Sequence, residues 1–266
     1  MYLMNRSLKW LVPFGPVIES TTTEQAFLTE HPWVLFESGR FNKVPLISGF
    51  TQDEGILLFA AGVMSKNDIL ARMNQHWNAV APTLFYYDTW NITSAEKDTI
   101  SNKIRKFYFG DKPIGGTTRQ NLTNLYSDRL FVQGIFDTVE LHSNFAPVYP
   151  YVMSFKGGKS SVGSHYQIPV STHGDDSQYL FNFQEFPFGT EQFKFSSNLI
   201  SLWTSFAATG KPVGDTPTLD SWEIATVGKA NGKWFDLNFE TKTLSNYLEE
   251  RRQFWKDLGV KKFEAY

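Results

Sequence analysis

Short apolar runs set between long amphipathic stretches constrain this chain more than any other feature. Val44–Phe50 is a β-branched, apolar run bounded by Pro45 and Gly49, suited to a buried sheet position, and Pro150–Phe155 is a second, closed by Gly157 and Gly158. Between them the spacing predicts helices. Ser65-Lys66-Asn67-Asp68 reads as a capping box ahead of Ile69, Leu70, Met73, Trp77, Val80 and Leu84. Thr93-Ser94-Ala95-Glu96 reads as another, leading into Ile100, Ile104 and Phe107, with Gly110 as a stop. Leu122, Leu125, Tyr126, Arg129, Phe136 and Val139 predict a long helix over 118–144. Phe195, Leu199, Leu202, Trp203 and Phe206 predict another over 190–208, ended by Gly210 and Pro212. Lys233–Leu237 and Thr243–Leu244 suit a late strand or hairpin. Strands separated by long helices indicate an α/β fold rather than a sandwich or barrel. No repeat or low-complexity linker divides the chain, so one domain is the simplest reading. The strands are too few for a complete doubly wound sheet.

Composition excludes several function classes. A net charge of -2 gives no electrostatic argument for nucleic acid or an anionic membrane surface. The absence of cysteine removes disulfides, a thiol nucleophile and thiolate metal sites. Met1–Pro16 holds Leu8, Trp10, Leu11 and Val12 but is broken by Pro13 and Gly15, and no stretch is long enough to span a bilayer. The 24 Phe and 8 Trp fit large core side chains better than a dedicated apolar pocket.

Two residues carry the chemistry. Glu54 lies in Gly49-Phe50-Thr51-Gln52-Asp53-Glu54-Gly55, just past the first predicted strand, and His173 lies in Ser171-Thr172-His173-Gly174-Asp175-Asp176, in the loop after the second. An acid followed much later by a histidine is the order of the last two triad members in α/β-hydrolases, and loops beyond the carboxyl ends of strands are where such folds place their sites. No Gly-x-Ser-x-Gly is present, and neither Gly157-Gly158-Lys159-Ser160-Ser161 nor Gly115-Gly116 can replace it. Spacing alone leaves other readings open: Glu54 as a solvated loop acid or, with Asp53, a helix N-terminal charge, and His173 as a surface or structural histidine.

The wording of the segments narrows those choices. Val12-Pro13-Phe14-Gly15-Pro16-Val17-Ile18-Glu19, Val44-Pro45-Leu46-Ile47-Ser48-Gly49 with Asp53-Glu54-Gly55, Tyr126-Ser127-Asp128-Arg129, the His173 segment and Leu202-Trp203-Thr204-Ser205-Phe206-Ala207-Ala208-Thr209-Gly210-Lys211-Pro212 occur in order over residues 12–250. In them the chain resembles the C-terminal half of the type-B carboxylesterase/cholinesterase family, with wording like that of insect esterases. The resemblance implies the C-terminal portion of an α/β-hydrolase fold over 1–266, an incomplete central sheet with packed helices, and no cofactor. It implies Glu54 as catalytic acid, His173 as general base and a small-molecule carboxylic ester as substrate. The family's nucleophile and oxyanion hole belong to an N-terminal half that this chain lacks, so the chain alone is expected to be inactive and that half is its expected partner. An extracellular location is favoured by family. The alternative is a non-catalytic cholinesterase-like adhesion or interaction module, against which the retention of both Glu54 and His173 argues. Ser221-Trp222-Glu223 departs from the Trp-Pro of many relatives, a change expected to touch only a surface turn.

The remaining motifs carry less. Asp175 and Asp176 suit a helix N-terminus better than a metal site. His31, His76, His142 and His165 share no ligand spacing. Asn5, Asn91 and Asn121 head N-glycosylation triplets, and Asn91 is the best candidate because it sits in an apparent loop.

Overall fold

The computed structural model describes residues 17–19, 25–56, 62–63, 67–88, 91–157, 160, 168–181, 185–215, 219, 221–230 and 232–259. The chain begins its regular structure with a short helix α1 (Pro32–Glu37), which His31 caps by accepting from the Trp33 amide at 3.1 Å. Strand β1 (Leu46–Thr51) follows. It starts two residues later than expected because Pro45 has no N–H to give a ladder, and Val44 instead offers its carbonyl to His142 at 2.8 Å.

Helices α2 (Asn67–Gln75) and α3 (Trp77–Leu84) occupy the stretch predicted as one helix. The chain breaks at His76 (φ -130°, ψ 37°), and Trp77 turns inward so that its indole donates to the Ser101 carbonyl at 2.7 Å. Ser65, expected to cap this helix, lies outside the described residues. Helix α4 (Ser94–Phe109) carries the expected capping box between Thr93 and Glu96 and stops at Gly110. The long helix predicted over 118–144 is α5 (Arg119–Ser127), a π-helix (Asp128–Val132) and α6 (Gln133–His142), continuous but wound more loosely in the middle. Strand β2 (Val148–Met153) is followed by α7 (Asp175–Leu180), with Asp175 and Asp176 in its first turn as anticipated. Helix α8 (Glu191–Thr209) is capped by Thr190 and closed by Gly210 at φ +76°. Strands β3 (Lys233–Leu237) and β4 (Lys242–Ser245) form the late hairpin, and α9 (Glu249–Asp257) follows it.

The four strands pair in the order β1-β2-β3-β4. The first two pairings are parallel, with Leu46 opposite Val148 and Tyr151 opposite Phe235, and the hairpin is antiparallel. Both faces of β2 are buried, as a central parallel strand requires. Tyr149, Tyr151 and Met153 face a cluster built on Phe195, Leu199 and Leu202 of α8. Val148 and Val152 face Phe136 and Val139 of α6 with Trp234 of β3. A third cluster joins α2–α5 to Trp255 of α9. Trp222 belongs to the second cluster rather than to a surface turn. It stacks on Phe235 at 4.9 Å and donates to the Pro150 carbonyl, while Glu223 stays outside and pairs with Lys233. Among the described residues β1 is an edge strand, and Leu46–Gly49 are only half-buried despite their apolar sequence.

The π-helix is held from two sides. Asp128, wholly buried, accepts from Arg251 of α9 and from the Tyr108 hydroxyl, which in turn accepts from Trp255 at 2.8 Å. Arg129 donates to the carbonyls of Phe85 and Tyr86 at 2.7 and 3.2 Å. Burial pushes the Asp128 carboxyl up, and the charge of Arg251 opposes that shift.

Candidate active site

Glu54 opens a 3₁₀ turn (Glu54–Ile56) three residues past the end of β1, and it is buried rather than solvated. Its Oε1 accepts from the Thr51 amide at 2.8 Å, which turns the carboxylate back toward the sheet end. The turn sits hard against α5: the Gly55 amide donates to Ser127 Oγ at 2.9 Å. A Cβ at Gly55 would lie 2.3 Å from the Thr123 carbonyl oxygen and 2.6 Å from the Ser127 nitrogen, both backbone atoms that cannot step aside. Gly55→Ala is therefore expected to destabilise the chain by about 1–3 kcal/mol through overpacking. Thermal melting should then fall by roughly 2–4 °C per kcal/mol; an unchanged melting temperature would show that the turn has room to move.

His173 arrives from the other loop. Its Nδ1 lies 2.8 Å from Glu54 Oε2, 119 residues away in sequence. A carboxylate accepts, so Nδ1 carries the proton and Nε2 is left as the basic nitrogen. The imidazole packs at 4.9 Å on Phe131, which the π-helix presents, and about half of the His173 side chain faces solvent. Gly174 follows at φ +82°, a left-handed turn that lets the chain enter α7 directly behind the histidine. Asp175 Oδ2 accepts from the Thr172 amide at 2.8 Å, and burial pushes this carboxyl up to about 6.

The hydrogen bond from His173 to Glu54 raises the imidazole above its ordinary value, against the effect of burial, and the charges of Glu54 and Asp176 add to the rise. A raised folded value means that the pair stabilises the fold at pH below the ordinary imidazole range. That contribution is lost as pH rises through the raised value. Melting temperatures of the wild type and His173→Ala should accordingly converge with rising pH across that window. The gap is small, because half of the ring is hydrated; a gap that widens with pH would contradict the assigned direction.

The structure thus brings Glu54 and His173 together, and it shows what sequence reading missed. Asp53 is not a helix charge: its amide donates to the Ser171 carbonyl at 2.7 Å and its carboxylate meets Gln120, Lys156 and the Ser171 amide. Phe131 could not be foreseen, since its aim depends on the π-turn. The other histidines do structural work where described. His31 caps α1, His76 marks a helix break, and His142 bonds the Val44 carbonyl and packs on Phe41; His165 lies outside the described residues. No cluster of metal-binding side chains occurs among the described residues. Asn91 is exposed in a bend, whereas the Asn121 amide is engaged by the Tyr108 carbonyl at 2.8 Å inside α5, and Asn5 lies outside the described residues.

Residues 3–255 match the carboxylesterase family. The chain belongs to that family. It is 32% identical over 219 residues to a carboxylic ester hydrolase of Bombus ignitus, covering 78% of this chain and 39% of that protein. It is 30% identical over 180 residues to Esterase-5A of Drosophila pseudoobscura pseudoobscura, covering 64% of this chain and 33% of that protein. The chain therefore spans well under half the length of these relatives. Among solved structures it is similar to the juvenile hormone esterase of Manduca sexta with OTFP covalently attached, with a TM-score of 0.71 and 21% identity over 92% of this chain and 47% of that one. A PNB esterase aligns with a TM-score of 0.61 and 20% identity over 85% of this chain and 41% of that one. The four-stranded mixed sheet with its packed helices has the α/β-hydrolase fold of these esterases. No helix among the described residues is long and apolar enough to cross a membrane.

Proposed function

We propose that this carboxylesterase-family chain supplies the acid and base of a serine-type carboxylic-ester hydrolase, serving a serine carried by a segment outside these 266 residues. The observation that carries the proposal is the 2.8 Å contact between His173 Nδ1 and Glu54 Oε2. With Nδ1 tied to the carboxylate, Nε2 is free to take the serine proton as the hydroxyl attacks the ester carbonyl. It then returns that proton to the departing alcohol, while Glu54 holds the ring and stabilises the imidazolium between the two transfers. No bond from Nε2 is made among the described residues, and the half-exposed ring leaves it open to an incoming hydroxyl.

Two further observations support a site completed from elsewhere. The sequence has no Gly-x-Ser-x-Gly. Strand β1 presents an unpaired edge among the described residues, where a further strand of the same esterase domain would pair and cover its half-buried apolar face. An adhesion module would need neither an ordered imidazole nor a buried partner for it. If the protein is exported, Asn91 is the triplet whose amide is accessible for a glycan.

Incubation of the isolated chain with a chromogenic short-chain ester tests this reading. The rate is expected to equal that of His173→Ala and of buffer. Histidine-dependent turnover would mean that the chain contains its own nucleophile.

A further inference from the structure

We propose that Asp53 is a positioning residue that latches the His173 loop to the Glu54 turn, so that the acid–base pair is assembled by a second, buried carboxylate. The inference rests on the acid–base reading of Glu54 and His173, and it concerns what holds them in register.

The geometry is reciprocal. The Asp53 amide donates to the Ser171 carbonyl at 2.7 Å, and the Ser171 amide donates back to Asp53 Oδ2 at 3.3 Å. Residue 53 adjoins the acid, and residue 171 lies two before the base, so one two-way clasp joins the segments that must meet. Ser171 is fixed to the sheet as well, its hydroxyl donating to the Met153 carbonyl at 2.9 Å. Asp53 is only 2% exposed, and a carboxylate so deeply buried needs donors on both oxygens. Gln120 Nε2 supplies one at 3.1 Å to Oδ1 and Lys156 Nζ another at 3.2 Å to Oδ2, both reaching in from exposed positions. The clasp thus draws on α5, on the segment after β2 and on both site loops. The charges of Glu54 and Asp176 raise His173. A charge lost at residue 53 would lower the titration midpoint but leave the proton on Nδ1 while the ring still faces Glu54, so mixing of the tautomers reports position.

The test uses the full chain, uniformly ¹⁵N-labelled, and needs no turnover. Long-range ¹H–¹⁵N spectra report which ring nitrogen of His173 holds the proton, with His173→Ala assigning the signals. In the wild type the neutral ring should be almost wholly the Nδ1–H tautomer. In Asp53→Asn, whose amide cannot satisfy both Ser171 and Gln120 as the carboxylate does, the ring should become a mixture and its titration midpoint should fall toward the ordinary imidazole value. Asp176→Asn is the contrast: it should lower the midpoint and leave the tautomer fixed. Should Asp53→Asn fold poorly, Gln120→Ala/Lys156→Met strips the two surface partners of Asp53 and should produce the same tautomer mixing to a smaller degree. A folded Asp53→Asn, or the double variant in its place, with the wild-type tautomer would overturn the latch. A wild type that shows no fixed tautomer would instead count against the acid–base reading itself.

Discussion

In a protein made by joining this chain to the N-terminal part of the Bombus ignitus relative, Glu54→Gln is expected to lower kcat for a chromogenic short-chain ester by about 10,000-fold. The amide keeps the size of the side chain but can present an N–H to His173 Nδ1, which favours the tautomer with the proton on Nε2. The ring would then have no lone pair to offer the serine. His173→Ala should cost at least as much, and the double variant scarcely more than His173→Ala alone, since residues acting as one unit lose their effect together. KM should change little, because neither side chain needs to touch the ground-state ester. A loss of only a few-fold in Glu54→Gln would show that another group orients the imidazole.

The second large effect lies away from the site. Arg251→Met should destabilise the chain by about 3–5 kcal/mol, because it leaves the Asp128 carboxylate buried with its charge unpaired. Asp128→Asn/Arg251→Met, which removes both charges, should recover part of that loss despite carrying one more change. The consequence is not confined to α9. Asp128 opens the π-helix that presents Phe131 to His173, so loosening α9 should also broaden the His173 ring signals. Urea unfolding followed by tryptophan fluorescence measures the stability change. A loss below about 1 kcal/mol in Arg251→Met would place this pair among exposed ion pairs of little worth.

How far the sequence foretold this arrangement depends on the range of the interactions involved. Helix α8 was legible in its extent and its end, because the 3.6-residue spacing of Phe195, Leu199 and Leu202 and the stop at Gly210 are local signals. The capping box of α4 was equally plain. Strand β1 was legible in kind but not in its start, where Pro45 had the last word. The π-helix was not, because a partner that holds it, Arg251, lies 123 residues from Asp128 along the chain. Glu54 and His173 were singled out through the wording of their segments rather than their spacing, and the structure sets them 2.8 Å apart. Asp53, weighed only as a helix N-terminal charge beside Glu54, could not be placed for the same reason as the π-helix: its main partner is Ser171, 118 residues on.

The most direct test compares ester turnover by three proteins side by side: the chain alone, the chain joined to the Bombus ignitus N-terminal part, and that joined protein carrying His173→Ala. The account predicts hydrolysis by the second alone. Turnover by the isolated chain, or equal rates in the joined protein with and without His173, would contradict it.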